Sequence, residues 1–201
     1  MIGDFERARK VATQDETTLE DLGQIGTLAW TKSHVSAFIE TLAGNHAAAE
    51  AELRESYLLL ERYGAKNSVG AAARLAHSLC AQGRYEEAER FAAMTRDAMP
   101  GDVQEQSLWR SALAKVEAHR GNFNEAESLA RVATELLEPT GFINQCGDAQ
   151  MDLAGVLVAA GRSVDARVAL EKALDLYRRK GNTVSATRAE ELLARLPAGS
   201  G

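Results

Sequence analysis

The chain has 201 residues, of which 45% are hydrophobic, 26% are charged and only 5% are aromatic. So few aromatic residues favour closely packed helices over a sheet core, which prefers β-branched and aromatic side chains. The formal net charge of −6 and the pI of about 5.3 argue against a nucleic-acid partner, because affinity for phosphates comes mainly from clustered Lys and Arg.

The sequence also lacks the usual marks of membrane, metal-binding and disulfide-bonded proteins. No stretch approaches the roughly 18 apolar residues of a membrane-spanning helix, and the N-terminus has no signal-peptide core. We therefore expect a cytoplasmic protein with no membrane partner. Cys80 and Cys146 match neither a metal-ligand nor a disulfide pattern, and the four histidines have no metal-binding spacing. We predict no metal site, no cofactor and no catalytic residue.

A short phrase opens the chain and then recurs along it: a Gly is followed by an Ala five residues later. The glycines lie 38 to 41 residues apart, a period typical of stacked helical repeats. We expect each Gly to turn the chain without a Cβ penalty and each Ala to lie where a second helix crosses the first. The glycines are Gly3, Gly44, Gly83, Gly121 and Gly161, and the alanines are Ala8, Ala49, Ala88, Ala126 and Ala166.

The first copy is unusual because no helix precedes it. Later copies lie between a first and a second helix, whereas Gly3 lies at the start of the chain. We therefore expect residues 3–23 to form a half repeat that lacks its first helix. The favoured interpretation is that the chain is a piece of a longer protein; the alternative is that something else covers this helix. An apolar face left on it would also allow a homodimer.

Four full helical repeats follow, and a last helix closes the series. They are predicted at about 27–64, 68–99, 102–138 and 144–181. In the first of them, one continuous first helix is expected from Thr27 to Leu42. The last helix, at about 183–195, is rich in Arg and Glu and is expected to cap the array, with residues 196–201 frayed. The prediction is a single all-α domain over residues 1–201.

The turn residues resemble those of the tetratricopeptide repeat family. Gly83, Tyr85 and Ala88 match the family's Gly, Tyr and Ala at the helix-to-helix turn, and Ala133 and Ala173 match a later small position in the second helix. The period departs from the family's usual 34 residues. The small and aromatic residues usual in the first helix are only partly present. The resemblance implies a right-handed α-solenoid of helical hairpins.

A narrower resemblance concerns the C-terminal half. It is similar to the C-terminal helical repeats of large actinobacterial regulators, which carry a class III adenylate/guanylate cyclase or transcription-activator domain and a P-loop ATPase module. The resemblance implies a regulatory arm. It implies no catalysis here, because the sequence has no P-loop motif. It rests on segments such as Leu108-Trp109-Arg110, Asp152-Leu153-Ala154 and Leu176-Tyr177-Arg178.

First helices line the concave groove in tetratricopeptide arrays, and the resemblance therefore suggests groove residues here. The offsets from the turn glycines give His34, His77, Lys115, His119 and Asp148. A mixed polar groove of this kind suits a peptide or an acidic tail. The plainer interpretation, which we favour, is that these are ordinary exposed polar residues. Trp30 and Trp109 also lie in first helices, where packing between repeats is the expected role and peptide stacking the alternative.

These observations predict a non-enzymatic module that binds a protein or peptide segment, including another part of its own parent chain. The alternative is a small-molecule-sensing regulatory arm of a cyclase or ATPase protein, with the ligand held between repeats. An enzyme is the least expected, because the sequence shows no nucleophile, metal or cofactor constellation.

Overall fold

The structure is a computed structural model that describes residues 3–62, 68–98 and 101–197. Over these ranges it contains helices and no strand, so the predicted all-α class is confirmed. By its contacts the chain divides into two compact units, which we call the N-terminal unit (3–98) and the C-terminal unit (101–197). The single-domain assignment and the repeat boundaries stay predictions. The predicted repeat ends at residues 64 and 99, and residues 198–201, lie outside the described residues.

The N-terminal unit begins with the helix predicted as a half repeat. Helical residues run without a break from Ile25 to Leu42, the stretch where a first helix from Thr27 to Leu42 was expected, and a π-helical turn lies inside it between α2 and α3. Helix α4 packs against α2, α3 and α5, and α5 packs against α6. The elements are α1 (Phe5–Asp21), α2 (Ile25–Thr31), the π-helical turn (Lys32–Ser36), α3 (Ala37–Leu42), α4 (His46–Arg62), α5 (Ser68–Ala81) and α6 (Tyr85–Ala98).

The C-terminal unit contains two helical pairs and a final helix. Helix α7 packs against α8 and α9, α9 against α10, and α10 against α11. Ala186 and Ala189 of α11 are buried beside Tyr177 of α10, so α11 covers the last pair. The elements are α7 (Val103–His119), α8 (Phe123–Leu137), α9 (Ile143–Ala159), α10 (Ser163–Lys180) and α11 (Thr183–Arg195).

All five phrase glycines lie in the left-handed region, with φ between 74° and 82°. At Gly83 the next amide, that of Arg84, donates to the carbonyl of Leu79 (2.9 Å), which is the pattern that closes many helices at a glycine. Other residues are strained in this conformation. The phrase alanines of the later copies are fully buried at 0% exposure: Ala49, Ala88, Ala126 and Ala166. Ala8 is half-buried.

The phrase also encodes an ion pair between one second helix and the residue just before the next, which was not predicted from the sequence. Arg84 directly follows its turn glycine, and its Nη1 donates to both carboxylate oxygens of Glu50 at 2.7 Å. Arg162 occupies the same position in its copy and pairs with Glu127. Glu50 and Glu127 are themselves equivalent, each following the phrase alanine. The same contact thus links α4 to α6 and α8 to α10.

Candidate binding surfaces

The predicted groove residues fall into both units, and each set is described within its own unit. His34 and His77 belong to the N-terminal unit, and Lys115, His119 and Asp148 to the C-terminal unit. The structure brings the charges of Lys115 and Asp148 close enough to interact. His119 is exposed in the last turn of α7.

Two first helices of the C-terminal unit, α7 and α9, lie side by side and are joined by an ion pair. The ammonium Nζ of Lys115 lies 2.7 Å from Oδ1 of Asp152, and both side chains are less than one-third exposed. Asp152 lies four residues after Asp148, so the two carboxylates share one side of α9. We call the surface formed by Lys115, Asp148 and Asp152 the α7–α9 face.

A buried tyrosine of α10 forms a hydrogen bond to the side chain of Asp148. Tyr177 of α10 is only 2% exposed, and its hydroxyl donates to Oδ1 of Asp148 at 2.6 Å. Although Asp148 reaches solvent, the protein around its carboxyl displaces water and raises its pKa to about 6. The charge of Asp152 acts in the same direction, while the Tyr177 hydrogen bond and the charges of Lys115 and Arg188 oppose it. Burial and the Asp148 charge also raise the pKa of Tyr177.

Gly147 makes room for this tyrosine. A Cβ atom built on Gly147 would lie 2.6 Å from Cε1 of Tyr177, far closer than carbon atoms pack. The ring therefore rests on the bare backbone of α9 and reaches the neighbouring Asp148. Gly147, Asp152 and the polar role of Tyr177 were not predicted from the sequence. A glycine inside a predicted first helix was the available signal.

The N-terminal unit presents an exposed aromatic pair. Trp30 is 54% exposed and stacks on His34, with ring centroids 4.8 Å apart and planes within 10°. Packing between repeats, the role expected for both tryptophans, is therefore wrong for Trp30. Trp109 is 6% exposed, and the guanidinium of Arg110 lies 4.1 Å from its ring centroid.

His34 is half-buried and uncharged at neutral pH. Its Nδ1 lies 2.8 Å from Oγ of Ser33 and 3.2 Å from the carbonyl oxygen of Trp30. Burial, followed by the charge of Arg74 on α5, lowers the pKa of His34 to about 4, although the Trp30 carbonyl acts in the opposite direction. His77, also on α5, is half-buried. This surface therefore combines an exposed indole with a neutral imidazole and a nearby arginine.

Comparisons with known proteins show which fold the chain resembles. Residues 69–96 match the model of the tetratricopeptide repeat family. The fold is tetratricopeptide-like. No curated protein sequence matches the chain. The crystal structure of BtubC (BKLC) from P. vanneervenii is similar, with a TM-score of 0.59 and 18% identity, covering 98% of this chain and 96% of that one.

A second solved structure is similar to this tetratricopeptide-like chain. It is a Signal Transduction ATPase with Numerous Domains, PH0952 from Pyrococcus horikoshii, which is described as having a tetratricopeptide repeat sensor. The TM-score is 0.56 and the identity 19%, and 92% of this chain is covered. The chain spans 28% of the length of that protein. At these identities both similarities concern the fold.

The described helices of this tetratricopeptide-like chain show neither a metal-binding cluster nor a membrane-spanning segment. Within residues 3–62, 68–98 and 101–197, no three His, Cys, Asp or Glu side chains are grouped so as to hold a metal ion. None of the helices in those ranges has both the length and the apolar content needed to cross a membrane. An open depression of about 580 Å³ lies at the turn between α7 and α8, lined by Glu117, Asn122, Phe123 and Glu125. None of the predicted groove residues lines it.

Proposed function

We propose that this chain is a non-enzymatic module that binds a segment of another protein, with the α7–α9 face as the principal site. The main support is that contacts within the protein already fix the charged groups of this face in the absence of a partner. Lys115 is held by Asp152 at 2.7 Å, and Asp148 by Tyr177 at 2.6 Å. Groups held in place lose little conformational entropy on binding, which favours affinity.

The polarity of the face favours a peptide with both charged and hydrogen-bonding groups. Asp148 reaches solvent and makes one hydrogen bond, to Tyr177. Its raised pKa reflects a carboxylate whose charge is incompletely compensated. A cationic side chain or a backbone amide from a partner would compensate it further. In the N-terminal unit, Trp30 offers a separate contact surface, since exposed tryptophans are enriched among the residues that dominate protein interfaces.

We further propose that the module serves a multidomain regulator. Two observations support this extension: the resemblance of the C-terminal half to repeats of actinobacterial regulators, and the similarity to part of an ATPase that is described as having a tetratricopeptide repeat sensor. In such an arrangement the bound segment would come from another protein or from elsewhere in the parent chain.

A peptide selection tests the binding function. Random-sequence peptides displayed on phage are selected on the purified chain, and the selected peptides are titrated calorimetrically against Lys115→Ala and Asp148→Asn. We expect each substitution to weaken binding by about tenfold or more, on the order of 1.4 kcal/mol. Lys172→Ala is the matched control, because Lys172 is exposed on the second helix α10. If the selected peptides bind all these variants equally well, the α7–α9 face is not their binding site.

The second candidate function is a small-molecule sensor. It is favoured by the similarity to a protein described as having a tetratricopeptide repeat sensor. A ligand that binds the folded chain raises its melting temperature according to concentration and affinity. A thermal-shift screen of nucleotides and metabolites therefore separates the two candidates: a saturable shift supports sensing, and peptide binding without any such shift supports the binding module.

A further inference from the structure

The π-helical turn at Lys32–Ser36 lies between α2 and α3, and a residue of α1 forms hydrogen bonds to both of its ends. The amide of Ala37 donates to the carbonyl of Lys32, five residues earlier. Such turns contain one residue more than an α-helical turn, and they occur frequently at functional sites. Because each α-helical residue turns the chain by about 100°, the extra residue sets the rotation of α2 relative to α3.

Side chains satisfy the carbonyls that precede the turn. Oγ of Ser33 donates to the carbonyl of Ala29 at 3.0 Å and lies 3.2 Å from that of Trp30. Oγ of Ser56 on α4 also donates to Ala29, at 2.7 Å. Hydroxyl groups of two helical segments thus contact the carbonyls just before the turn.

Glu16 of α1 contacts both ends of the turn. One carboxylate oxygen accepts from Nζ of Lys32 at 2.9 Å, and the other accepts from Oγ of Ser36. Both partners are buried; Lys32 is only 7% exposed. Its ammonium also lies 3.1 Å from carboxylates of Glu52 and Glu55, so it is held from α1 and from α4 at once.

These polar contacts matter for holding α1 in place because the helix buries little apolar surface. Of its 17 residues only Ala12 is buried, whereas six of the 18 residues of α10 are. A second polar contact, from Arg9 Nε to Glu40 at 2.6 Å, ties α1 to α3. A small cavity of about 50 Å³ lies along this contact, lined by Arg9, Glu16, Ser36 and Glu40. The helix is thus held largely by polar groups.

We propose that Glu16 is a positioning residue for His34: by binding Lys32 and Ser36 at the two ends of the π-helical turn, it fixes the rotation of the turn and holds His34 half-buried beside Arg74. Without Glu16 the turn relaxes toward the α-helical register, and His34 moves into solvent. Helix α1 then acts on the Trp30–His34 surface without contributing a residue to it. The inference concerns a residue of the proposed binding surface, but its test reads His34 directly and needs no partner.

The test is the protonation of His34, followed by NMR of ¹³C-labelled histidine between pH 5 and 8 in the full chain. In the unaltered protein, His34 should remain neutral over this range because burial and Arg74 lower its pKa to about 4. The groups that influence it are Arg74 on α5 and the carbonyl of Trp30. Glu16→Ala should move the midpoint toward the ordinary value of 6.5. Asp15→Ala, an exposed neighbour on α1, should leave it unchanged.

Two further measurements separate positioning from mere attachment of α1. Hydrogen exchange of amides in α1 reports whether the helix is released, and circular dichroism reports whether the variant folds. A Glu16→Ala variant that is folded and releases α1, yet keeps His34 neutral at pH 5, would overturn the proposal. Glu16→Gln retains an acceptor for Ser36 and should return the His34 midpoint toward that of the unaltered protein. Equal behaviour of the Gln and Ala variants would also count against the hydrogen-bond mechanism.

Discussion

Replacing Gly147 by alanine should destabilise the C-terminal unit, although alanine is the better helix former. The new Cβ would lie 2.6, 2.9 and 3.0 Å from three ring atoms of Tyr177, about 1 Å inside a normal carbon–carbon contact. Overpacking of this kind costs about 1–3 kcal/mol. The higher helix propensity of alanine offsets up to about 1 kcal/mol of this cost. Movement of the ring would in addition weaken its hydrogen bond to Asp148, which is worth about 1.5–3 kcal/mol for a charged acceptor. We expect a net loss of about 1–3 kcal/mol.

The same helix supplies a matched control. Gly155 also lies in α9, but a Cβ built there meets nothing within 4 Å. Gly155→Ala should therefore stabilise the chain by about 0.5–1 kcal/mol. The assay is urea unfolding followed by circular dichroism, with an unchanged m-value as the sign that both variants unfold in the same way. If Gly147→Ala is as stable as Gly155→Ala, Tyr177 does not pack on Gly147 and the reasoning fails. A Tyr177→Leu background should reduce the difference in a double-mutant cycle.

The pKa of Asp148 is raised in the folded state to about 6 from its ordinary 3.8. The stabilisation that its protonated form provides is therefore lost as pH rises from about 4 to 6. Asp148→Asn should reduce this pH dependence of the free energy of unfolding. Arg84→Ala should lower the melting temperature, less so at high salt, whereas exposed Arg90→Ala should have little effect; equal effects would contradict the ion-pair assignment. Gly121→Ala, at φ 81°, should cost about 1–2 kcal/mol in urea unfolding, and no loss would exclude the left-handed turn.

The helical class was predictable because its signals are local. A glycine such as Gly83 marks a left-handed turn, and the alanine five residues later is small enough to be completely buried, as Ala88 is. Both requirements are met within one phrase, and the phrase recurs at a nearly constant period. Sequence therefore specifies the hairpins without information from distant residues.

The site features that were missed depend on residues far apart in the chain. The π-helical turn forms hydrogen bonds to Glu16, which lies 16 residues before Lys32. The sequence around Lys32 contains no local pattern that predicts the extra residue of the turn. Tyr177 looks like an ordinary core residue until its hydroxyl is found against Asp148, 29 residues away. The offset from the turn glycines did select Lys115 and Asp148, and whether they bind a partner stays a prediction. Their partners required the packing of α7, α9 and α10.

The ion pairs encoded by the phrase favour certain neighbours for a repeat over others. A repeat carrying Arg84 or Arg162 needs a glutamate in the second helix before it, and Glu50 and Glu127 meet that need. At the equivalent position of the last phrase stands Arg167, whose guanidinium faces the carbonyls of Leu196 and Pro197 instead. A copy of either arginine-bearing repeat grafted after α10 would therefore bring two cations together. An arginine-bearing repeat is therefore better placed after a second helix with Glu at this position than after α10.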